Sequence, residues 1–219
     1  GPVIPLDLLV AASGANTAAI EEALRAGLLI TVGNDLGFRH EIVRETVLST
    51  LSPLRRRQIH GQILHVLSQL PDLPKRAATL AHHADEAADG DAVLRFAPLA
   101  AQRAASLGSQ REAALQYARA LRYVTEPDSS DRERLLGSYA DTTHYCGWSD
   151  ETIAARRELI EIARANSSPD REAHHLRSLA TSLVVAGRNS EAEQAIEASH
   201  AIVEGTPETL LHAAIYSTM

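Results

Sequence analysis

Cysteine, methionine, lysine and aromatic residues are all scarce in this 219-residue sequence. The one cysteine, Cys146, excludes an intrachain disulfide framework and a cysteine-based zinc site, and fits a reducing cytoplasm. The longest apolar runs, such as residues 8–12 and 28–32, fall far short of the ~20 residues that span a bilayer as a helix, and no signal-peptide pattern is present. A cytoplasmic protein with no membrane partner is expected. The only methionine is Met219, the last residue, so the chain is expected to be a piece of a longer protein. Gly1-Pro2 then reads as the scar of a cleaved tag. Lys75 is the sole lysine beside twenty arginines, which suggests a GC-rich coding sequence and has no bearing on mechanism.

What is present is an acidic chain, with 28 acidic against 21 basic side chains and a net charge of -7, long enough for one or two domains with a real core. In the first part, residues 6–12 read as a short helix and residues 17–26 as a second, with Asn16 as N-cap and Gly27 closing it. Residues 28–32 have the β-branched apolar character of a strand, Gly33-Asn34-Asp35-Leu36-Gly37 supplies turn chemistry, and Phe38-Arg39 begins the return arm. A helix over 40–51 follows. Pro53 opens another over 54–70, with Ile59, Ile63, Val66, Leu67 and Leu70 on one stripe. This order predicts a winged-helix unit with a two-stranded hairpin over residues 3–73.

Beyond Pro74 every segment reads as helix. The glycines at 108, 147 and 187 are 39 and 40 residues apart, and the prolines at 127, 169 and 207 are 42 and 38 apart. The alternation predicts repeated helical hairpins over 74–219, with glycine in each tight turn and proline in each link. Counting back from each glycine, the small or apolar sets are Ala97, Ala100, Ala101, Ala104; Leu136, Tyr139, Ala140, Thr143; and Leu176, Leu179, Ala180, Leu183. On the following helices, Ala113, Tyr117 and Ala120 form a small–aromatic–small pattern, Ala192 and Ile196 match it in part, and Thr152 and Arg156 depart from it. These sets resemble tetratricopeptide repeats with a longer period. The resemblance implies a mainly α fold, an α-α superhelix cut within its last repeat. It also implies a groove lined by the first helix of each hairpin, with Arg95, Gln102, Arg134, Asp141, His144, His174, Arg177 and Thr181 facing a protein or small-molecule inducer. An acidic peptide, an anionic small molecule or another protein surface suits this mixture of cationic and polar groups.

The strings Ala26-Gly27-Leu28-Leu29, Phe38-Arg39-His40-Glu41-Ile42-Val43-Arg44-Glu45 and Arg55-Arg56-Arg57-Gln58-Ile59-His60 resemble the segment that follows the nucleotide-binding core in large ATP-dependent LuxR-type transcriptional regulators. That group of signalling ATPases includes the maltose-regulon activator. The resemblance covers residues 4 to about 125. It implies a preceding P-loop ATPase, a following helical arm, and DNA binding only through a further domain. His40 matches the position that contacts the β-phosphate of ADP and latches the closed state, with Glu41 in the acidic place. ATP or ADP would thus bind the parent protein, this chain would hold no cofactor, and its partners would be the nucleotide-binding domain and an inducer. A signalling ATPase with a non-DNA output, such as a cyclase-linked one, is the alternative.

Other chemistry is poorly represented. No Gly-rich loop ends in Lys-Ser or Lys-Thr, and His40-Glu41-Ile42-Val43-Arg44 lacks the second histidine of a zincin. His82-His83, beside Asp85 and Glu86, reads as a solvated helix end because adjacent helical side chains diverge by ~100°; His174-His175 reads the same way, and no metal site is expected. His144 and Cys146 face differently, so a joint catalytic role is not expected, and no nucleophile–base pair marks an enzyme. Arg55, Arg56 and Arg57 read as an exposed helix start. A DNA-binding winged-helix protein is disfavoured by Glu21 and Glu22 on the helix that would read the groove, where only Arg25 is basic. Ten acidic against five basic residues over 126–170 disfavour nucleic acid in the arm.

Overall fold

A computed structural model describes residues 3–13, 17–127 and 129–203. Asn16 and the segment around Pro207 therefore lie outside the described residues. The fold is mainly α, as expected, with one small sheet. It divides into two compact units, residues 1–96 and 97–219, and the division falls within one helix.

In the first unit the order is β1 (Val3–Pro5), α1 (Leu6–Ser13), α2 (Thr17–Arg25), β2 (Leu29–Val32), β3 (Asp35–Phe38), α3 (Glu41–Thr50), α4 (Pro53–Ser68) and α5 (Leu73–Ala87). The expected two-stranded hairpin is a three-stranded antiparallel sheet in the order β1-β3-β2, because Val3, Ile4 and Pro5 pair with Gly37, Leu36 and Asp35. The expected five-residue turn is also shorter. Val32 pairs with Asp35, which leaves only Gly33 and Asn34 in the loop. Gly33 has φ 63, as the first position of a type II′ turn requires, so Asp35, Leu36 and Gly37 are released to the strand. Leu36, flanked by both neighbouring strands, is buried. Ser52 caps α4 by accepting from the Arg55 amide at 3.2 Å, and Pro53 occupies the first turn, where its missing N–H costs nothing. Leu64 and Leu67 form the buried part of α4, which packs on α5. Leu70 lies beyond the helix end and is exposed.

α6 (Gly90–Ser106) runs across the division between the units. The second unit continues with α7 (Gln110–Leu121), α8 (Ser130–Tyr145), α9 (Ser149–Ala165), α10 (Pro169–Val185) and α11 (Asn189–Val203). Gly108, Gly147 and Gly187 take φ of 80, 72 and 73. Each lets the next amide reach back to the helix it ends: Ser109 to the Ala104 carbonyl at 2.8 Å, Trp148 to Thr143 at 3.0 Å and Arg188 to Leu183 at 2.8 Å. This is the Schellman closure, and it accounts for the glycine spacing in the sequence.

The repeat holds through Thr152, where the sequence pattern departs. Ala113, Thr152 and Ala192 each stand five residues after a turn glycine and are 0%, 1% and 4% exposed. Threonine fits this small-residue slot because its hydroxyl is satisfied, donating to the Trp148 carbonyl at 2.8 Å and meeting Thr143 Oγ1 at 2.9 Å. The core of the unit lies between paired helices: Leu136, Ala140, Ala155, Leu159 and Ile162 form one cluster, and Ile153, Ile160, Leu176, Leu179 and Leu183 contribute to the next.

Candidate functional site

Helices two apart in the second unit are tied by ion pairs. α9 and α11 meet through Arg157 and Glu191 at 2.9 Å, and α8 and α10 through Glu133 and Arg171 at 2.7 Å. The α8–α10 seam also holds three of the eight polar residues assigned to a groove, Asp141, His174 and Arg177. His174 on α10 lies in the fields of Arg177, Arg156 and Asp141. Arg156, from α9, pairs with Asp141 on α8. Burial lowers the His174 pKa below its ordinary 6.5, and the two arginines lower it further against the opposing pull of Asp141. His174 is thereby held towards its neutral form, able to offer both a donor and an acceptor.

The charges of this group do not cancel. Arg177 is half-buried and its guanidinium has no hydrogen-bond or ion-pair partner among the described residues. The Nε atoms of Arg156 and Arg177 are both buried without an acceptor. Arg156 pairs with Asp141 and Arg177 has no such pair among the described residues, so the two guanidiniums keep donors unspent in an acidic chain. Such a set is chemically suited to an oxyanion, which supplies charge and acceptors together.

The remaining groove candidates are dispersed. Arg134 is exposed and paired with Asp131 at 3.0 Å on its own helix. Arg95 lies against the ring of Phe96 at 5.0 Å, and Gln102 is exposed on α6. His144 is half-buried beside Tyr145. Thr181 donates to the Arg177 carbonyl at 3.2 Å and borders a cavity of about 690 Å³ between α10 and α11, whose walls include Val184, Val185 and Ile196. Arg156 is absent from the groove set expected from sequence. It lies on the second helix of its hairpin, and only the tertiary fold reveals its reach to Asp141.

In each of two histidine pairs one member departs from the expectation of a solvated helix end, while His174 and His82 are exposed as expected. His175 is buried, with Nε2 3.6 Å from Glu133, too long for a hydrogen bond. Burial and the neighbouring His174 push its pKa down, while Glu133 opposes them. On α5, His82 is exposed as expected but His83 is half-buried, because His60 of α4 stands against it with Nδ1 to Nδ1 at 3.0 Å. Burial, followed by the fields of His60 and His82, lowers His83 to about 4.

His40 is the N-cap residue of α3, with φ -132 and ψ 135, but its side chain makes no capping bond and is exposed. Glu41 is engaged by Arg44, whose hydrogen bond lowers the carboxylate's pKa. Arg55, Arg56 and Arg57 are exposed at the start of α4, and Glu21, Glu22 and Arg25 are exposed on α2. Among the described residues no helix is long and apolar enough to cross a membrane.

No protein-family model and no curated protein sequence matches the chain. Among solved structures, the chain is similar to the crystal structure of BtubC (BKLC) from P. vanneervenii, at 16% identity, with 92% of this chain and 94% of that chain covered and a TM-score of 0.44.

Proposed function

We propose that this chain is the sensor arm of an ATP-dependent LuxR-type transcriptional regulator, which binds an anionic inducer or the acidic surface of a partner protein and transmits that event to a nucleotide-binding domain. The fragment binds and transduces without turnover. The observation that carries the ligand class is the polar group on α8, α9 and α10: Arg177 without a hydrogen-bond or ion-pair partner among the described residues, and Arg156 paired with Asp141 while its Nε is buried and unspent. The coupling rests on the resemblance at residues 38–45, together with an imidazole at His40 that no described residue occupies. An N–H donor beside a helix N-terminus suits a phosphate oxygen. For a ligand to shift the switch it must bind its two states differently, so the arm's contacts need to change between them.

The test of the ligand class is a thermal-shift screen of the chain against phosphorylated metabolites, dicarboxylates and acidic peptides. An anionic binder should stabilise the wild type, and Arg177→Ala should weaken it by about tenfold or more, the usual worth of a charge-assisted bond. A response only to cationic or neutral compounds, or one indifferent to Arg177, contradicts this reading. ADP should not bind the chain alone, because the proposed pocket is shared with the nucleotide-binding domain.

A further inference from the structure

We propose that His60, His82 and His83 form a binding site for a borderline divalent transition-metal ion, with zinc as the best-fitting occupant. The site is independent of the arm's ligand reading and lies wholly within the first unit. A ring nitrogen from each histidine lies within 4.8 Å of those of the other two. The ring centroids are 5.0 Å apart for His60–His83, 5.3 Å for His82–His83 and 5.7 Å for His60–His82, so the three imidazoles form one cluster. The divergence of two adjacent helical histidines, which argues against a site on α5 alone, is what admits a third ring from α4 beside both.

The distances suit direct coordination. Zinc held at about 2.0–2.1 Å by two imidazoles in tetrahedral geometry sets their nitrogens about 3.3–3.4 Å apart. The 3.0 Å between the Nδ1 atoms of His60 and His83 reaches that value by a few tenths of an ångström of side-chain movement. The donor set selects the ion class. Three nitrogens without a carboxylate among them are a poor match for magnesium or calcium, which take oxygen, and a good one for zinc, cobalt, nickel or copper. The exposed His82 places one side of the site at the surface, leaving a fourth coordination position for water or an exogenous donor. Glu86 and Arg56 supply the nearby fields of opposite sign at His60. Because the ligands come from α4 and α5, the ion would clip the two helices together across 23 residues of sequence.

The test is calorimetric titration of the metal-stripped chain with zinc chloride, repeated with cobalt chloride while visible absorption is recorded. One ion per chain, with the intense d–d bands of four-coordinate cobalt and a rise in Tm, is the expected result. His82→Ala, which replaces an exposed side chain and should leave the helical circular dichroism intact, is expected to weaken binding by at least about tenfold, as is His60→Ala. His65→Ala, on the same helix outside the cluster, should bind as the wild type does. Wild-type dissociation weaker than about 0.1 mM, or either cluster variant retaining wild-type affinity, overturns the site.

Discussion

Ala88 and Ser167 end their helices in the left-handed region, with φ of 57 and 50, where the corresponding turns at 108, 147 and 187 have glycine. Both make the same closure: the Asp89 amide reaches Ala84 and the Ser168 amide reaches Ala163, each at 2.9 Å. A Cβ in this conformation costs roughly 1–2 kcal/mol, part of which glycine returns as extra chain entropy in the unfolded state. Ala88→Gly and Ser167→Gly should therefore each stabilise the fold by about 0.5–1 kcal/mol in urea titrations. Thr152 illustrates the opposite balance, a polar residue in a buried slot that is tolerated because its hydroxyl is bonded on both sides. Thr152→Val keeps the shape and removes those bonds, and should cost about 1 kcal/mol in the same measurement.

At the scale of elements, stability is concentrated between neighbouring helices. Leu159 is fully buried against Leu136 and Ala140 of α8 and beside Ala155 and Ile162. Leu159→Ala should cost about 2–5 kcal/mol, with the spread set by how far α8 and α9 close over the void. The α8–α10 seam adds a pH dependence. His174 and His175 have lowered pKa values, so the folded state disfavours their protonation relative to the unfolded chain, where histidine titrates near 6.5. Their contribution is complete above about pH 6.5 and is lost as the pH falls below it, because the unfolded state then takes up more protons. The groups facing them are Glu133, Asp141, Arg156 and Arg177, and of these Glu133 and Asp141 moderate the loss. Tm measured from pH 7.5 to 5 should fall, and His175→Gln should flatten that dependence.

Elements are also where the sequence was most and least informative. Glycine closures announce themselves, since a left-handed helix end favours one residue type, and so the hairpins around 108, 147 and 187 were legible. The ends at Ala88 and Ser167 were not, because the chain makes the same turn there with residues that carry no such signal. β1 was hidden for a different reason: three residues carry no periodicity, and only pairing with β3 makes them a strand. The contacts of Arg156 with Asp141, and of His60 with His83, belong to the facing of separate helices. Periodicity gives the face a residue occupies, but not which side chain of another helix stands opposite.

For the whole molecule, a net charge of -7 makes a concentration of unspent arginine donors on α8–α10 a local exception. The net negative charge disfavours nucleic acid at long range, whereas the proposed arginine site would act on a small anion at short range. Anion binding there should weaken with salt, because part of its energy comes from a half-exposed guanidinium. In the first unit, the proposed three-histidine site would offer a separate means of holding α4 and α5 in register.

In the function proposed above, His40 would couple ligand binding in the arm to a nucleotide switch. The most direct test of that coupling is the rate of ADP release from the full-length parent, measured with a fluorescent analogue in wild type and His40→Ala without inducer. Loss of one hydrogen bond to a charged phosphate, worth about 1.5–3 kcal/mol, predicts release at least about tenfold faster in the variant. ADP held as tightly by His40→Ala as by the wild type would contradict the coupling.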